Sequence, residues 1–269
     1  PHHLLAAAVI ARPLKMASAG GYGRIILITP DHWKRSPAPA ATTGRDFTTP
    51  LGIVRSDRVV VDALLTCPSI RRSNLFSHEH GAQAILPFLA RLFPGVPVVA
   101  VAVHVRSTPE QWQTLADALR PWVTPGTLLI QSTDFSHYLP AAEAARHDAA
   151  SLRVLATGNP DEILRLQRPQ HLDSLAAQWI TLTLMRGRGC LPPVVVENRN
   201  AVEFGPHPDD PRTTSYISQL HSPDFIPASK LPGSPWFFGG DTHFGRHVAS
   251  RLADPAHSER IDSAILSIT

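Results

Sequence analysis

Apolar residues along this chain come in two kinds of run. Short, continuous stretches such as Ile25 to Ile28, Val98 to Val105 and Leu128 to Ile130 have no polar alternation, the pattern of strands buried on both faces. Pro193 to Glu197 and Thr214 to Leu220 read as two further strands. Between them lie longer segments of helical period: Leu4 to Ala11, Asp57 to Leu65, Ala82 to Leu92, Pro109 to Leu119, Ala141 to Ala156, a shorter one from Asp161 to Leu166, and residues 174 to 186. Strands alternating with helices predict an α/β fold, a mainly parallel sheet with helices on both faces.

The segments between these elements divide the chain. Residues 35 to 50, rich in Pro, Ala and Thr, read as a long irregular loop over a site, with the turn Thr49-Pro50-Leu51-Gly52 at its end. Residues 222 to 235 are rich in Ser and Pro and read as a linker. The strand, glycine turn and polar cluster that follow, from Trp236 to Arg246, look like the start of another domain. The expected organisation is a domain over 1–221, a linker over 222–235 and a truncated second domain over 236–269. Both ends look like cuts through a longer protein.

Polar groups gather where the apolar runs stop. Thr127 to Ile130 leads into Gln131-Ser132-Thr133-Asp134-Phe135-Ser136-His137-Tyr138, and Ile25 to Ile28 leads into Thr29-Pro30-Asp31-His32. Pro1-His2-His3 and Ser77-His78-Glu79-His80 place further histidines beside apolar segments. The ends of strands in open α/β sheets are where ligands sit, so these segments point to one shared site. A histidine beside a carboxylate, as His137 is beside Asp134, is what proton transfer near neutral pH requires.

Composition adds little beyond this. Hydrophobic content of 43% and mean hydropathy near zero indicate a globular chain with ample core. No apolar run approaches the roughly 18 residues of a membrane span. A net charge of +3 with scattered arginines argues against nucleic-acid binding. Cys67 and Cys190 have no metal or disulfide spacing and read as ordinary thiols. Fourteen histidines is a high count, and it directs attention to metal or acid/base chemistry.

Taken in order, Pro1-His2-His3, Pro30-Asp31-His32, Thr49-Pro50-Leu51-Gly52, Glu79-His80 with Leu86-Pro87-Phe88, and Ser132-Thr133-Asp134-Phe135-Ser136-His137-Tyr138 resemble the Memo family, whose bacterial form is AmmeMemoRadiSam system protein B. The resemblance spans about residues 1 to 220. It implies a fold like that of the class III extradiol dioxygenases, which hold non-haem iron with two histidines and a carboxylate. Carried onto this chain, it implies His2 and His32 as metal ligands, His137 with Asp134 as the acid/base pair, and His80 lining the pocket. The third ligand is a Cys in animal members. Here the matching stretch is His171-Leu172-Asp173-Ser174, so Asp173 takes that place. The implied cofactor is a divalent metal, Fe(II) first and copper second. The tail from Phe237 to Arg246 resembles the opening of CapA-type proteins, in which Asp241 and His243 would begin a second metal site.

Each residue also has a plainer reading. His32 caps a strand, Asp173 caps the helix after it, and His78 and Glu79 face solvent. Cys67, His104, His147 and His171 are structural or superficial. Three functions remain open: a metal-dependent, dioxygenase-like oxidoreductase acting on a small polar substrate, a non-catalytic module that binds a peptide or a partner enzyme, or a two-domain envelope-polymer protein whose activity sits in a C-terminal part beyond this sequence. Partner proteins of the AmmeMemoRadiSam system and a cytoplasmic rather than secreted location are the accompanying expectations.

Overall fold

The computed structural model describes residues 6–190, 192–204 and 210–222, together with the backbone of 237–239. The chain runs α1 (Ala7–Ala17), β1 (Arg24–Asp31), β2 (Ala40–Thr42), β3 (Phe47–Thr49), β4 (Gly52–Val54), α2 (Arg58–Leu64), β5 (Ile70–Arg72), α3 (His80–Gln83), α4 (Leu86–Leu92), β6 (Val98–His104), α5 (Pro109–Leu119), β7 (Thr127–Gln131), β8 (His137–Leu139), α6 (Ala141–Leu155), α7 (Leu175–Gly187), β9 (Val194–Asn200), β10 (Thr213–His221) and β11 (Phe237–Gly239). Among the described residues nine strands join one sheet in the order β5-β2-β6-β1-β7-β11-β10-β8, with β9 also on β10.

The centre of this sheet is parallel. Strand β1 pairs in parallel with β6 on one side and β7 on the other, Leu27 standing opposite Ala100 and Ile130. Antiparallel strands complete both flanks, β2 on β6 and β9 on β10. The continuous apolar runs are explained by the two cores this sheet separates. Ile25 and Leu27 face a cluster with Ile10 and Leu14 of α1 and Phe88 of α4. Ile26 and Ile28 face the opposite cluster, with Val60 of α2, Leu115 of α5 and Ile180 of α7. The fold class is therefore the expected one: α/β, with helices on both faces of a mixed sheet.

Local signals set the helix starts. Thr108 and Gln111 form a reciprocal capping box at α5, with Pro109 in its first turn. The Ser174 hydroxyl accepts from the Ala177 amide at 3.2 Å, so Ser174 rather than Asp173 caps α7. Two differences from expectation have physical causes. Helix α1 continues through Pro13 to Ala17 because Pro13, Leu14 and Ala17 are buried against the sheet, which offsets the lost backbone bond. The expected irregular loop over 35–50 contains β2 and β3. Three-residue strands are too short to carry a period, and β2 exists because β6 and β5 flank it. The turn at Pro50 and Leu51 joins β3 to β4.

No described helix is long and apolar enough to cross a membrane. Strand β11 lies between β7, to which it is parallel, and β10, to which it is antiparallel. The rest of the expected second domain, Asp241 and His243 included, lies outside the described residues.

Leu129 is fully buried in the strand that leads into the site. Leu129→Ala should cost about 2–5 kcal/mol of unfolding free energy, read as a fall in the urea midpoint at unchanged slope.

Candidate metal centre

The site is assembled where the parallel strands end. At the end of β1 the buried Asp31 carboxylate accepts from the Arg35 amide at 3.0 Å and the Ser36 amide at 2.7 Å. That turns the chain sharply and leaves His32 beside the strand end. Asp31, the middle residue of Pro30-Asp31-His32, thus builds the turn. The His32 ring is then held at both nitrogens. Nδ1 donates to Glu79 Oε1 at 2.5 Å, and Nε2 lies 3.0 Å from Asp173 Oδ2.

The segment after β7 is tied on every side. The Ser132 amide donates to the Ile28 carbonyl, and its hydroxyl donates to the Gly81 carbonyl at 2.7 Å. Phe135 and Ser136 exchange backbone hydrogen bonds with Ser215 of β10. The Ser136 hydroxyl reaches Asp148 of α6 at 2.7 Å, and burial pushes the Asp148 carboxyl upward. Asp134 and Asp173 clamp each other: the Asp173 amide donates to the Asp134 carbonyl, and the Asp134 amide donates to Asp173 Oδ2, both at 3.1 Å. Arg168 closes the loop from outside, donating to the carbonyls of Asp173 and Val105.

His137 is buried, with Nδ1 donating to the Phe135 carbonyl at 2.5 Å and Nε2 3.3 Å from Asp134 Oδ2. The carbonyl keeps a proton on Nδ1, so Nε2 is the nitrogen that exchanges one. Burial opposes charge on this ring, but the hydrogen bond and charge of Asp134, with the charge of Asp173, raise its pKa above the usual histidine value. For His32 burial likewise opposes charge, and hydrogen bonds to Asp173 and Glu79 outweigh it and hold the pKa well above that value. His80 stacks on His32 with ring centroids 3.9 Å apart.

Of the residues expected at one site, His32, His80, Asp134, His137 and Asp173 come together; His2 lies outside the described residues. Glu79, read from sequence as solvent-facing, is wholly buried and touches His32. Its place in Glu79-His80 was visible, but a lone carboxylate in a polar stretch carries no sign of burial. His32, Glu79 and His80 also offer nitrogen and oxygen atoms all within 4.8 Å of one another. Two aromatics flank the site. Trp33 donates from Nε1 to the His78 carbonyl and meets His80 edge-on, while Tyr138, 60% exposed and at φ 59°, meets His137 edge-on. His147 and His171 pair with each other at 3.3 Å.

The ends of these strands thus bring histidines and carboxylates together in an arrangement able to hold a metal or move a proton. The family model described as Memo-like protein matches residues 3–188, and the chain belongs to that family. A MEMO1 family protein of Thermotoga sp. (strain RQ2) is 27% identical over 140 residues, covering 51% of this chain and 50% of the relative. One from Thermus thermophilus is 32% identical over 165 residues, covering 55% and 49%. The chain thus spans about half the length of the curated relatives it matches. A solved structure of an uncharacterized protein from Escherichia coli K12 shares the fold, with a TM-score of 0.50, 13% identity, and coverage of 76% of this chain and 91% of that one.

A raised histidine pKa in the folded state stabilises the fold fully below the unfolded value, and the contribution fades as pH rises through the folded value. In the metal-free chain the His137 ring should therefore titrate above 6.5. Asp134→Asn removes the charge that raises it and leaves the burial that lowers it, so the ring should then titrate lower than in wild type. NMR of the ring Cε1 proton reads both; a wild-type ring titrating at or below 6.5 contradicts the assignment.

Proposed function

We propose that this chain is a metalloprotein of the Memo-like family that works as a non-haem, metal-dependent, dioxygenase-like oxidoreductase. His32 and Asp173 would hold the divalent metal together with His2, and His137 with Asp134 would serve as the acid/base pair. The observation that carries this reading is the pairing of Asp173 with His32. Nε2 lies 3.0 Å from Oδ2, and Asp173 Oδ1 is buried with no hydrogen-bond partner among the described residues. A buried carboxylate oxygen without a partner is costly, and a cation beside it removes that cost.

The donor set favours one end of the metal series. Imidazole nitrogens with a carboxylate suit Fe(II) and leave coordination positions open, whereas a thiolate at Asp173's position would favour softer ions such as Cu(I). When bound, the metal would supply Lewis acidity and open positions for dioxygen or a small polar substrate. The protein side of the chemistry follows from the contacts. Glu79 keeps a proton on His32 Nδ1, so Nε2 is the nitrogen available as a donor. The Asp134 amide steadies Asp173 Oδ2. His137 exchanges a proton at Nε2, with Asp134 beside it to stabilise the charged ring. Burial of these groups excludes bulk water and strengthens each of those interactions.

The alternative, a module binding a peptide or a partner enzyme without turnover, is favoured by an incomplete ligand set with Asp173 turned away from His32. Asp173 faces His32, which supports the metal reading. Proteins of the AmmeMemoRadiSam system remain the proposed partners.

Anaerobically purified, iron-replete wild-type chain should hold close to one equivalent of a divalent metal by elemental analysis. His32→Ala or Asp173→Ala should each abolish stoichiometric binding. A metal-free wild type under those conditions overturns the oxidoreductase reading and leaves the binding module in its place.

A further inference from the structure

Glu79 stands with His32 and His80 in a group whose possible ligand atoms all lie within 4.8 Å of one another, and on proximity alone it would be counted as a metal ligand. Its contacts argue otherwise. Oε1 accepts from His32 Nδ1 at 2.5 Å and from the Gly81 amide at 3.0 Å. Oε2 accepts from the His32 backbone amide at 3.0 Å. Both oxygens thus accept from N–H donors inside the protein, which take three of the carboxylate's roughly four lone-pair sites, and the side chain has no solvent exposure. One carboxylate fixes the backbone of His32, the plane of its ring, and the start of α3, from which His80 projects to stack on that ring.

We propose that Glu79 is a positioning residue: it holds the His32 ring through Nδ1 so that Nε2, on the side of Asp173, is the nitrogen that meets the metal. The inference rests on the metal reading above and deepens it by assigning the ligating atom and by removing Glu79 from the ligand set. The physics is that of a carboxylate hydrogen-bonded to a ligating imidazole. It fixes the tautomer, restrains the ring and makes the far nitrogen more basic, and its loss weakens metal binding without changing which atoms bind. Glutamine is nearly isosteric, but its NH2 end donates and cannot accept. In Glu79→Gln at least one of the three N–H donors faces another N–H.

Two measurements on the full chain test this. Wild-type chain loaded with Zn2+ is examined by long-range 1H–15N correlation of its histidine rings. The expected result is His32 with a proton on Nδ1 and the metal on Nε2; metal on Nδ1 overturns the proposal. The second measurement is anaerobic Co2+ titration of wild type and Glu79→Gln. Affinity should fall roughly 10–100-fold in the variant, with unchanged stoichiometry and an unchanged visible spectrum. An unaltered affinity overturns the positioning role while leaving the metal reading intact, and an altered spectrum makes Glu79 a ligand. Failure of the wild-type chain to bind either ion overturns both. The Zn2+ measurement needs no variant, so it decides the point even if Glu79→Gln does not fold.

Discussion

The structure of the site depends on one side chain held between two others: His32, with Glu79 on one ring nitrogen and Asp173 on the other. Two segments, 47 residues from His32 at Glu79 and 141 residues from it at Asp173, must be delivered to within hydrogen-bond reach of that ring. The parallel sheet makes this feasible, because β1 and β7 end side by side and helices return the intervening chain to the same edge. Everything else at the site is arranged around this placement: the Asp31 turn that presents the ring, the mutual clamp of Asp134 and Asp173 through backbone and carboxylate, and the Ser132 hydroxyl that ties β7's extension to α3.

Burying three carboxylates and three histidines together is unfavourable unless their charges and hydrogen bonds match. Burial opposes charge on His32 and His137, but hydrogen bonds and charges of Asp173, Glu79 and Asp134 outweigh it and hold both rings above the ordinary histidine value. A divalent cation on the Asp173 side would match those carboxylates more completely, because it also meets the Oδ1 atom that no described donor reaches. The same carboxylates that raise the two histidine pKa values would serve the proposed metal. The stability of the surrounding sheet, with its two apolar cores, is what holds so polar a cluster in place.

The positions of Trp33 and Tyr138 bear on access. Both rings are exposed beside a site histidine, and the two non-glycine residues at positive φ among those described, Lys34 and Tyr138, lie in these same two segments. Left-handed backbone at a bulky residue is unfavourable and persists where surrounding structure dictates it. At Tyr138 the surrounding structure is the hydrogen bonding of Ser136 and His137 to β10 and to the Pro169 carbonyl.

Much of this was legible in the chain itself. Continuous apolar runs identified β1, β6 and β7 because those strands are covered on both faces, and the polar residues that follow them marked the edge where chemistry collects. His32, Asp134 and His137 could be named for that reason, and Asp173 by family resemblance. The sequence could not show that Asp173 leaves the capping of α7 to Ser174 and turns its carboxylate toward His32, nor that Glu79 is buried against Nδ1 of the same ring. Both are decided by packing between segments far apart along the chain, where a polar residue's burial depends on partners that its neighbours in sequence do not reveal. Sequence periodicity determined which segments form the sheet; only tertiary structure decided which carboxylates meet the histidine, because hydrogen-bond partners at that edge are selected by distance in space.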